Sequence, residues 1–154
     1  MDLSDLIKMS AILPALKANS KKQVLQLLAE KAASETELSE REIFDTILQR
    51  ERLGSTGVGN GIAIPHGKLP GITRITGVFA RLEEPVDFDA LDDLPVDLVF
   101  LLLAPEGAGA DHLKALSRIA RVLRDADTTA KIRGTTDAAA IHTFLAEAPA
   151  SNAA

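Results

Sequence analysis

His66 is the residue of this sequence best suited to do chemistry. It lies in the run Ile-Pro-His-Gly at residues 64–67. Pro65 fixes its own φ angle and favours an extended residue before it, whereas Gly67 permits a close approach of other atoms. The run predicts a histidine at a strand end with room beside it. A neutral imidazole has a free nitrogen lone pair and can accept a phosphoryl group. The alternative is a loop histidine with one hydrogen bond to the backbone.

His112 is the second candidate, because it follows Asp111, the expected N-cap of a helix. The partial positive charge at a helix N-terminus disfavours imidazolium, so we expect a neutral side chain, and free N–H groups there could bind an anion. His112 could then donate a hydrogen bond to a phosphoryl group on His66; the alternative is a surface histidine. His142 lies within the last predicted helix and is interpreted as structural. The histidines lack the HExxH spacing, so no metal site is predicted.

A glycine-rich segment at residues 54–61 precedes His66, but it does not match a nucleotide-binding loop. It lacks the third glycine of the dinucleotide motif, and it follows a helix and precedes a strand, the reverse of the order in that motif. The stretch from Gly61 to Leu69 differs from a P-loop, because five residues separate its glycines and Leu69 has no metal-binding hydroxyl. No nucleotide cofactor is expected.

Capping boxes and apolar periodicity predict the elements that position these residues. Ser20 and Ser39 each precede a Gln or Glu by three residues, the spacing that begins a helix. The predicted elements are helices at 21–33 and 40–53, strands at 62–67, 75–82 and 96–104, and helices at 111–124 and 137–147. The last two strands are apolar on both faces, which is typical of strands covered on two sides. The pattern predicts an α/β domain with a mixed sheet layered between helices.

Composition restricts the possible functions. The 154 residues correspond to about one domain, expected at residues 1–147 with a flexible tail at 148–154. A formal charge of −5 argues against nucleic-acid binding, and the lack of cysteine excludes disulfides and thiol nucleophiles. The longest apolar stretch, Leu98 to Ala104, is much shorter than the roughly 20 residues that span a bilayer. The acidic N-terminus does not resemble a signal peptide, so a cytoplasmic protein without membrane insertion is expected.

Residues 50–69 read Arg-Glu-Arg-Leu-Gly-Ser-Thr-Gly-Val-Gly-Asn-Gly-Ile-Ala-Ile-Pro-His-Gly-Lys-Leu. This run resembles the active-site signature of enzyme IIA of the phosphotransferase system (PTS), in the fructose/mannitol superfamily. The Gly-Asn-Gly run, Ser-Lys-Lys-Gln-Val-Leu at 20–25 and Asp-His-Leu at 111–113 followed by Leu116 are similar to the nitrogen-regulatory branch. The resemblance extends from Leu3 to Leu145 and implies a single PTS EIIA type-2 domain with the mannitol/fructose EIIA fold.

The resemblance implies roles for three residues. His66 matches the phosphorylated histidine, which accepts the phosphoryl group on Nε2 from the phosphohistidine of a small HPr-like carrier protein (NPr). His112 matches the second active-site histidine, which assists and orients. Arg50 matches an arginine near the phosphoryl group, where a guanidinium suits anionic oxygens. No nucleotide, metal or other cofactor is implied.

Three further residues complete the expected phosphoryl-binding set. Ser55 and Thr56 lie in the loop that could donate more hydrogen bonds. Asn60 stands where the mannitol branch has a glutamate, and this change removes a negative charge from beside the acceptor, which weakens the analogy with sugar transport. Three apolar residues are candidates for a carrier-docking patch around His66, or alternatively for the core: Ile64, Leu69 and Ile72.

The resemblance implies a phosphotransferase component with a mainly regulatory role. Its phosphorylation state would control targets such as sensor kinases, potassium transporters or metabolic enzymes. The alternative is a phosphocarrier of fructose/mannitol-type sugar uptake that passes phosphate to a separate IIB protein. A third option, a binding module that has lost phosphorylation, is disfavoured by the intact set of His66, His112 and Arg50. Phosphorylation adds about two negative charges, which would change partner binding without refolding.

Overall fold

A mixed sheet of six strands forms the centre of residues 2–148, the part of the chain that the computed structural model describes. In chain order the elements are β1 (Ile12–Leu16), α1 (Lys21–Thr36), α2 (Glu40–Leu53), β2 (Gly57–Gly59), β3 (Ile62–Ala63), β4 (His66–Leu69), β5 (Thr76–Val86), β6 (Val96–Pro105), α3 (Ala110–Arg124), α4 (Ala126–Arg133) and α5 (Ala138–Glu147). Short 3-10 turns precede β1 at Leu3–Asp5 and Met9–Ala11.

β6 is the strand on which the sheet is organised. It pairs antiparallel with β5 on one side and parallel with both β3 and β4 on the other, while β1 runs parallel to β5 and β2 runs antiparallel to β3. Residues Leu98 to Ala104 of β6 alternate between the two faces of the sheet, and all of them are buried. Both faces are therefore covered, which confirms the predicted α/β class with a mixed sheet layered between helices.

The predicted strand at 62–67 is divided in two at Ile64 and Pro65. β3 pairs with β6 opposite Leu98 and Val99, and β4 continues along the same side of β6 from Leu102 onward. Pro65 has no N–H to donate, although its carbonyl accepts from the Leu102 N–H at 2.9 Å. The interruption makes His66 the first residue of β4 rather than the last residue of a single strand.

The helix starts follow local capping, with two corrections. Ser20 and Ser39 each accept the backbone N–H three residues later, as the capping boxes predict. The Gln23 side chain, however, reaches the Asn19 N–H at 2.8 Å instead of the Ser20 N–H. Asp111 is not the N-cap of α3, because Gly109, with φ 55°, reverses the chain and the helix already begins at Ala110.

Three elements were not predicted from the sequence: β1, α4 and β2, which lies within the glycine-rich segment at residues 54–61. β1 contains Pro14, which is tolerated because β1 pairs with β5 alone and forms a sheet edge within the described chain. α4 is only eight residues long and contains two threonines, so it has little helical periodicity or propensity. Its start at Asp125, whose side chain accepts the Thr128 N–H, is nevertheless a standard N-cap.

The C-terminal end of the described chain packs into the core. Ala148, which we assigned to the tail, is buried, and residues 149–154 of that predicted tail lie outside the described residues. Within residues 2–148, no helix combines the length and apolar character needed to cross a membrane.

Candidate functional site

The imidazole of His66 is held in one tautomer by its two hydrogen-bond partners. Nδ1 lies 2.9 Å from the Ile64 carbonyl oxygen, and Nε2 lies 3.3 Å from Nε of Arg50. A carbonyl can only accept and a guanidinium can only donate, so Nδ1 carries the proton and Nε2 presents its lone pair. The half-buried His66 is therefore a neutral nucleophile whose reactive nitrogen faces a cation.

Arg50 is brought to His66 by the packing of α2 against β4. Its Nη1 also donates to the Gly54 carbonyl at 2.9 Å, which ties the side chain to the turn that ends α2. The close packing depends on Gly67, because a Cβ atom there would lie 2.8 Å from Cγ2 of Thr46 on the facing side of α2. Gly67 thus allows the close approach predicted for it, and the group that approaches is the Thr46 side chain of α2.

His112 approaches His66 from the first turn of α3. The two ring centroids lie 5.7 Å apart, and the rings are inclined at 73°. His112 is 6% exposed, and its buried Nε2 has no hydrogen-bond partner among the described residues. The first-turn N–H groups of Asp111 and His112 already donate to the carbonyls of Ala108 and Gly109, so they are not the free anion donors we expected. The His112 side chain, by contrast, holds a polar atom without a partner among the described residues.

Both imidazoles are kept neutral by their surroundings. The pKa of His66 is lowered from 6.5 mainly by burial and further by Arg50, against opposing effects from the Ile64 carbonyl and Glu51. The pKa of His112 is also lowered, chiefly by burial and then by the charges of His66 and Lys68. We expected this direction for His112 from the helix N-terminus, whereas burial is the principal cause.

Ser55 and Thr56 lie in the loop after Arg50, but their hydroxyl groups have other partners. The Ser55 hydroxyl donates to the Phe88 carbonyl, and the buried Thr56 hydroxyl donates to the carboxylate of Glu51. A hydroxyl has a single proton to donate, so neither side chain presents a donor to His66 in this arrangement. The two hydroxyl groups therefore hydrogen-bond to Phe88 and Glu51 and not to the His66 imidazole.

Glu51 is a site-adjacent residue that the sequence analysis missed. Its carboxylate, 2% exposed, pairs with Lys21 Nζ at 2.8 Å and accepts the Thr56 N–H at 3.2 Å. The signal was present in the sequence, because Glu51 continues the buried series Ile43 and Ile47 at four-residue spacing on α2. An acidic residue on the apolar face of a helix indicates a buried partner.

Lys68 was missed as well. It is exposed and lies two residues after His66 on β4, so the two side chains leave the same face of the strand. Its charge acts on His112, which places a second cation near the pair of imidazoles.

Asn60 does not lie beside His66, contrary to our expectation. The carbonyl of Gly61, the next residue, accepts the N–H of Asp97, whereas His66 pairs with Leu102. Five residues of β6 separate these positions, or about 16 Å at roughly 3.3 Å per residue. The change from glutamate to Asn60 therefore does not alter the charge next to His66 and does not argue against sugar transport.

The apolar residues proposed for docking belong to the core. Ile64, Leu69 and Ile72 are at most 8% exposed. The exposed apolar side chains of this region are instead Leu53, three residues after Arg50 on α2, and Leu113, next to His112. Both are more than two-thirds exposed, at 85% and 69%.

The remaining histidine is remote from this cluster. His142 Nε2 lies 3.1 Å from the Ile7 carbonyl oxygen and fastens α5 to the N-terminal segment, a structural contact. Within residues 2–148, no three His, Asp or Glu side chains are grouped so that they could hold a metal ion.

Comparison with known proteins gives a consistent result. Residues 5–148 match the family model described as "Phosphoenolpyruvate-dependent sugar phosphotransferase system, EIIA 2". A nitrogen regulatory protein from Bradyrhizobium diazoefficiens is 62% identical over 153 residues, covering 99% of this chain and 100% of that protein. A fructose-specific EIIA component of the PTS from Haloferax volcanii is 36% identical over 129 residues, covering 83% of this chain and 84% of that protein.

The fold has a close counterpart among solved structures. The nitrogen regulatory protein IIA-Ntr from Neisseria meningitidis superimposes with a TM-score of 0.88 at 36% identity, covering 93% of this chain and 98% of that chain.

Proposed function

The chain belongs to the EIIA type 2 family of the PTS, in its nitrogen-regulatory branch, and we propose that it is a regulator that carries phosphohistidine. In this proposal His66 accepts a phosphoryl group from the phosphohistidine of an HPr-like carrier (NPr). The phosphorylation state of His66 then controls binding to target proteins, such as sensor kinases or potassium transporters, in the cytoplasm.

The tautomer of His66 is the observation that carries the proposal. With the proton on Nδ1, the Nε2 lone pair attacks phosphorus as the N–P bond to the carrier histidine breaks, and that bonding pair returns to the carrier nitrogen. The proton stays on Nδ1 throughout, donated to the Ile64 carbonyl, so the step needs no separate base. The reaction exchanges one N–P bond for another and requires no nucleotide.

Three side chains are suited to stabilise the transferred group. Phosphoryl transfer depends on positioning and on stabilising the negative charge of the equatorial oxygens. Arg50 donates to the Nε2 lone pair, and this hydrogen bond must pass to a phosphoryl oxygen as the lone pair attacks phosphorus. His112 holds a polar atom in a buried position beside His66, and the Lys68 charge acts on the same region.

The regulatory role is supported by the names of the relatives. The 62% identical protein and the structural counterpart at 36% identity are both nitrogen regulatory proteins. The second candidate, a phosphocarrier of sugar uptake that donates to a separate IIB protein, is favoured by the 36% identical fructose-specific component. The two functions share the chemistry at His66 and differ in the acceptor.

The chemistry is tested by intact-mass spectrometry after incubation with phosphoenolpyruvate, enzyme I and the HPr-like carrier. We expect one acid-labile phosphoryl adduct on the wild type and on His142→Gln, the matched control, and none on His66→Ala. A wild type without an adduct, in the presence of a carrier shown to be phosphorylated, refutes the proposal. An adduct that persists on His66→Ala refutes His66 as the acceptor.

The two candidate roles are separated by the fate of the phosphoryl group. The phosphorylated protein is mixed with purified fructose- or mannitol-type IIB, and the loss of its adduct is followed. Retention of the adduct, together with target binding that differs between the two states, supports the regulator. Rapid and complete transfer to IIB supports the sugar carrier.

A further inference from the structure

A second concave site lies between the glycine-rich segment and the helices α3 and α4. The groove has a volume of about 640 Å³, within the range of small-molecule sites. It is lined by Val58, Gly59, Asn60, Ile62, Ile64, Ala120, Leu123, Arg124, Ala126, Thr129 and Arg133. Neither imidazole of the candidate phosphorylation site lines it, so the groove is a separate feature.

The lining of the groove combines an apolar floor with two cations. Ile62, Ile64 and Leu123 are buried apolar residues, while Arg124 and Arg133 supply guanidinium groups. None of the described residues that line the groove is acidic, although the whole chain has a formal charge of −5. The lining itself therefore carries no carboxylate, although Asp97 pairs with Arg133 and Asp92 accepts the Asn60 N–H at its edge.

The two arginines are in different states. Arg133 is committed to the framework, because it pairs with Asp97 at 2.8 Å and donates to the Asn60 carbonyl at 2.8 Å. Arg124 is exposed at the end of α3 and makes no ion pair or hydrogen bond within residues 2–148. Arg124 is consequently the cation with donors available to a ligand.

The glycine-rich segment shapes one wall of this groove. Gly59 and Gly61 have φ angles of 103° and 82°, in a region that other residues rarely adopt. A Cβ atom on Gly61 would lie 2.6 Å from Nη2 of Arg133, so the glycine is required for the guanidinium to approach the backbone. This packing explains the need for Gly61 in the segment that does not match a nucleotide-binding loop.

We propose that the groove binds a small amphipathic anion, in which an apolar body lies on Ile62, Ile64 and Leu123 and a single anionic group contacts Arg124. A neutral apolar ligand would leave the guanidinium without a partner, and a small hydrophilic anion would leave the apolar floor uncovered. Carboxylate, sulfonate and phosphate groups all accept hydrogen bonds from a guanidinium. The size of the apolar floor would select among ligands that carry one of these groups. The site does not depend on phosphorylation of His66.

The proposal is tested with two probes of defined chemistry. The first is 8-anilinonaphthalene-1-sulfonate, whose fluorescence rises on transfer from water to an apolar site. The second is decanoate, used to displace it, with decanol as the neutral ligand of equal chain length. Three variants are compared with the wild type: Arg124→Gln removes the free cation, Val58→Glu adds a repelling charge to the exposed wall, and Arg41→Gln removes an exposed arginine on α2.

We expect the folded protein to bind the fluorescent probe saturably. Decanoate should displace the probe at a concentration at least about tenfold lower than decanol. Arg124→Gln and Val58→Glu should each weaken the binding of decanoate by about tenfold and leave the binding of decanol unchanged. Arg41→Gln and His66→Ala should bind both ligands as the wild type does. Equal displacement by decanoate and decanol, or equal behaviour of Arg124→Gln and Arg41→Gln, overturns the anion site. A cooperative thermal transition shows that the protein is folded. If such protein gives no saturable rise in probe fluorescence, the groove is not a ligand site.

Discussion

Nε of Arg50 lies 3.3 Å from Nε2 of His66, so a guanidinium already faces the nitrogen that would attack phosphorus. The same arginine is tied through Nη1 to the Gly54 carbonyl at the end of α2. Its position is therefore set before any phosphoryl group arrives, which reduces the reorganisation required in the transition state.

Arg50→Gln is expected to slow phosphorylation of His66 by about tenfold to a hundredfold, because a charge-assisted contact to the transferred group is lost. The measurement is the initial rate of adduct formation from the phosphorylated carrier. Arg52→Gln is the matched control, since Arg52 lies exposed on the same helix, and it should retain the wild-type rate. Equal rates for the two variants would contradict a role for Arg50 at the phosphoryl group.

His112→Leu is expected to separate stability from chemistry. The buried Nε2 has no partner within the described chain, so replacing the imidazole by an apolar side chain should raise the free energy of unfolding by about 1 kcal/mol. The rate of His66 phosphorylation should fall at the same time, because a buried polar group beside the acceptor is removed. Urea unfolding and adduct formation measure the two effects. A destabilised variant with a normal rate would indicate that His112 is structural.

The residues of the site differ in how far the sequence could locate them. Local sequence predicts His66 and His112, the family resemblance adds Arg50, and the structure brings the three side chains together. Asn60 is close to His66 in the motif, but an extended chain moves it away by about 3.3 Å per residue. Proximity in a motif predicts proximity in space only when a turn or a helix intervenes.

Elements with strong periodicity were predicted well, and those without it were not. α2 begins at Glu40 and ends at Leu53 as predicted, because Ser39 caps it and Gly54 ends it. β1 and α4 were missed because a proline interrupts the first and threonines weaken the helical pattern of the second. Both are held by tertiary pairing that a local pattern does not encode.

Glu51→Gln is expected to lower the free energy of unfolding by about 2–3 kcal/mol. The variant leaves the charge of Lys21 without its buried partner, although the amide oxygen can still accept from Thr56. Lys21 is 20% exposed, so water screens part of the cost. Chemical denaturation measures the loss, and Glu40→Gln, at an exposed position on the same helix, should change stability by less than about 0.5 kcal/mol. A loss as small as that of the control would contradict the buried pair.

Acidification is expected to destabilise the protein through His66 and His112. Their pKa values in the folded state are lowered from 6.5, mainly by burial. Well above pH 6.5 both the folded and the unfolded state leave these groups unprotonated, so they contribute no pH dependence there. Below it the unfolded chain binds protons that folded His66 and His112 do not, and the free energy of unfolding decreases.

The measurement is urea unfolding between about pH 7.5 and about pH 5.5, a range above the titration of most carboxylates. The double variant His66→Gln/His112→Leu should show a smaller loss of stability over this range, because both groups with a lowered pKa are gone. The phosphorylation rate of the wild type should also begin to fall at a lower pH than for an imidazole with a pKa of 6.5, since the pKa of His66 is lowered. A wild type that becomes more stable on acidification, or a double variant with an unchanged slope, would contradict neutral imidazoles at the site.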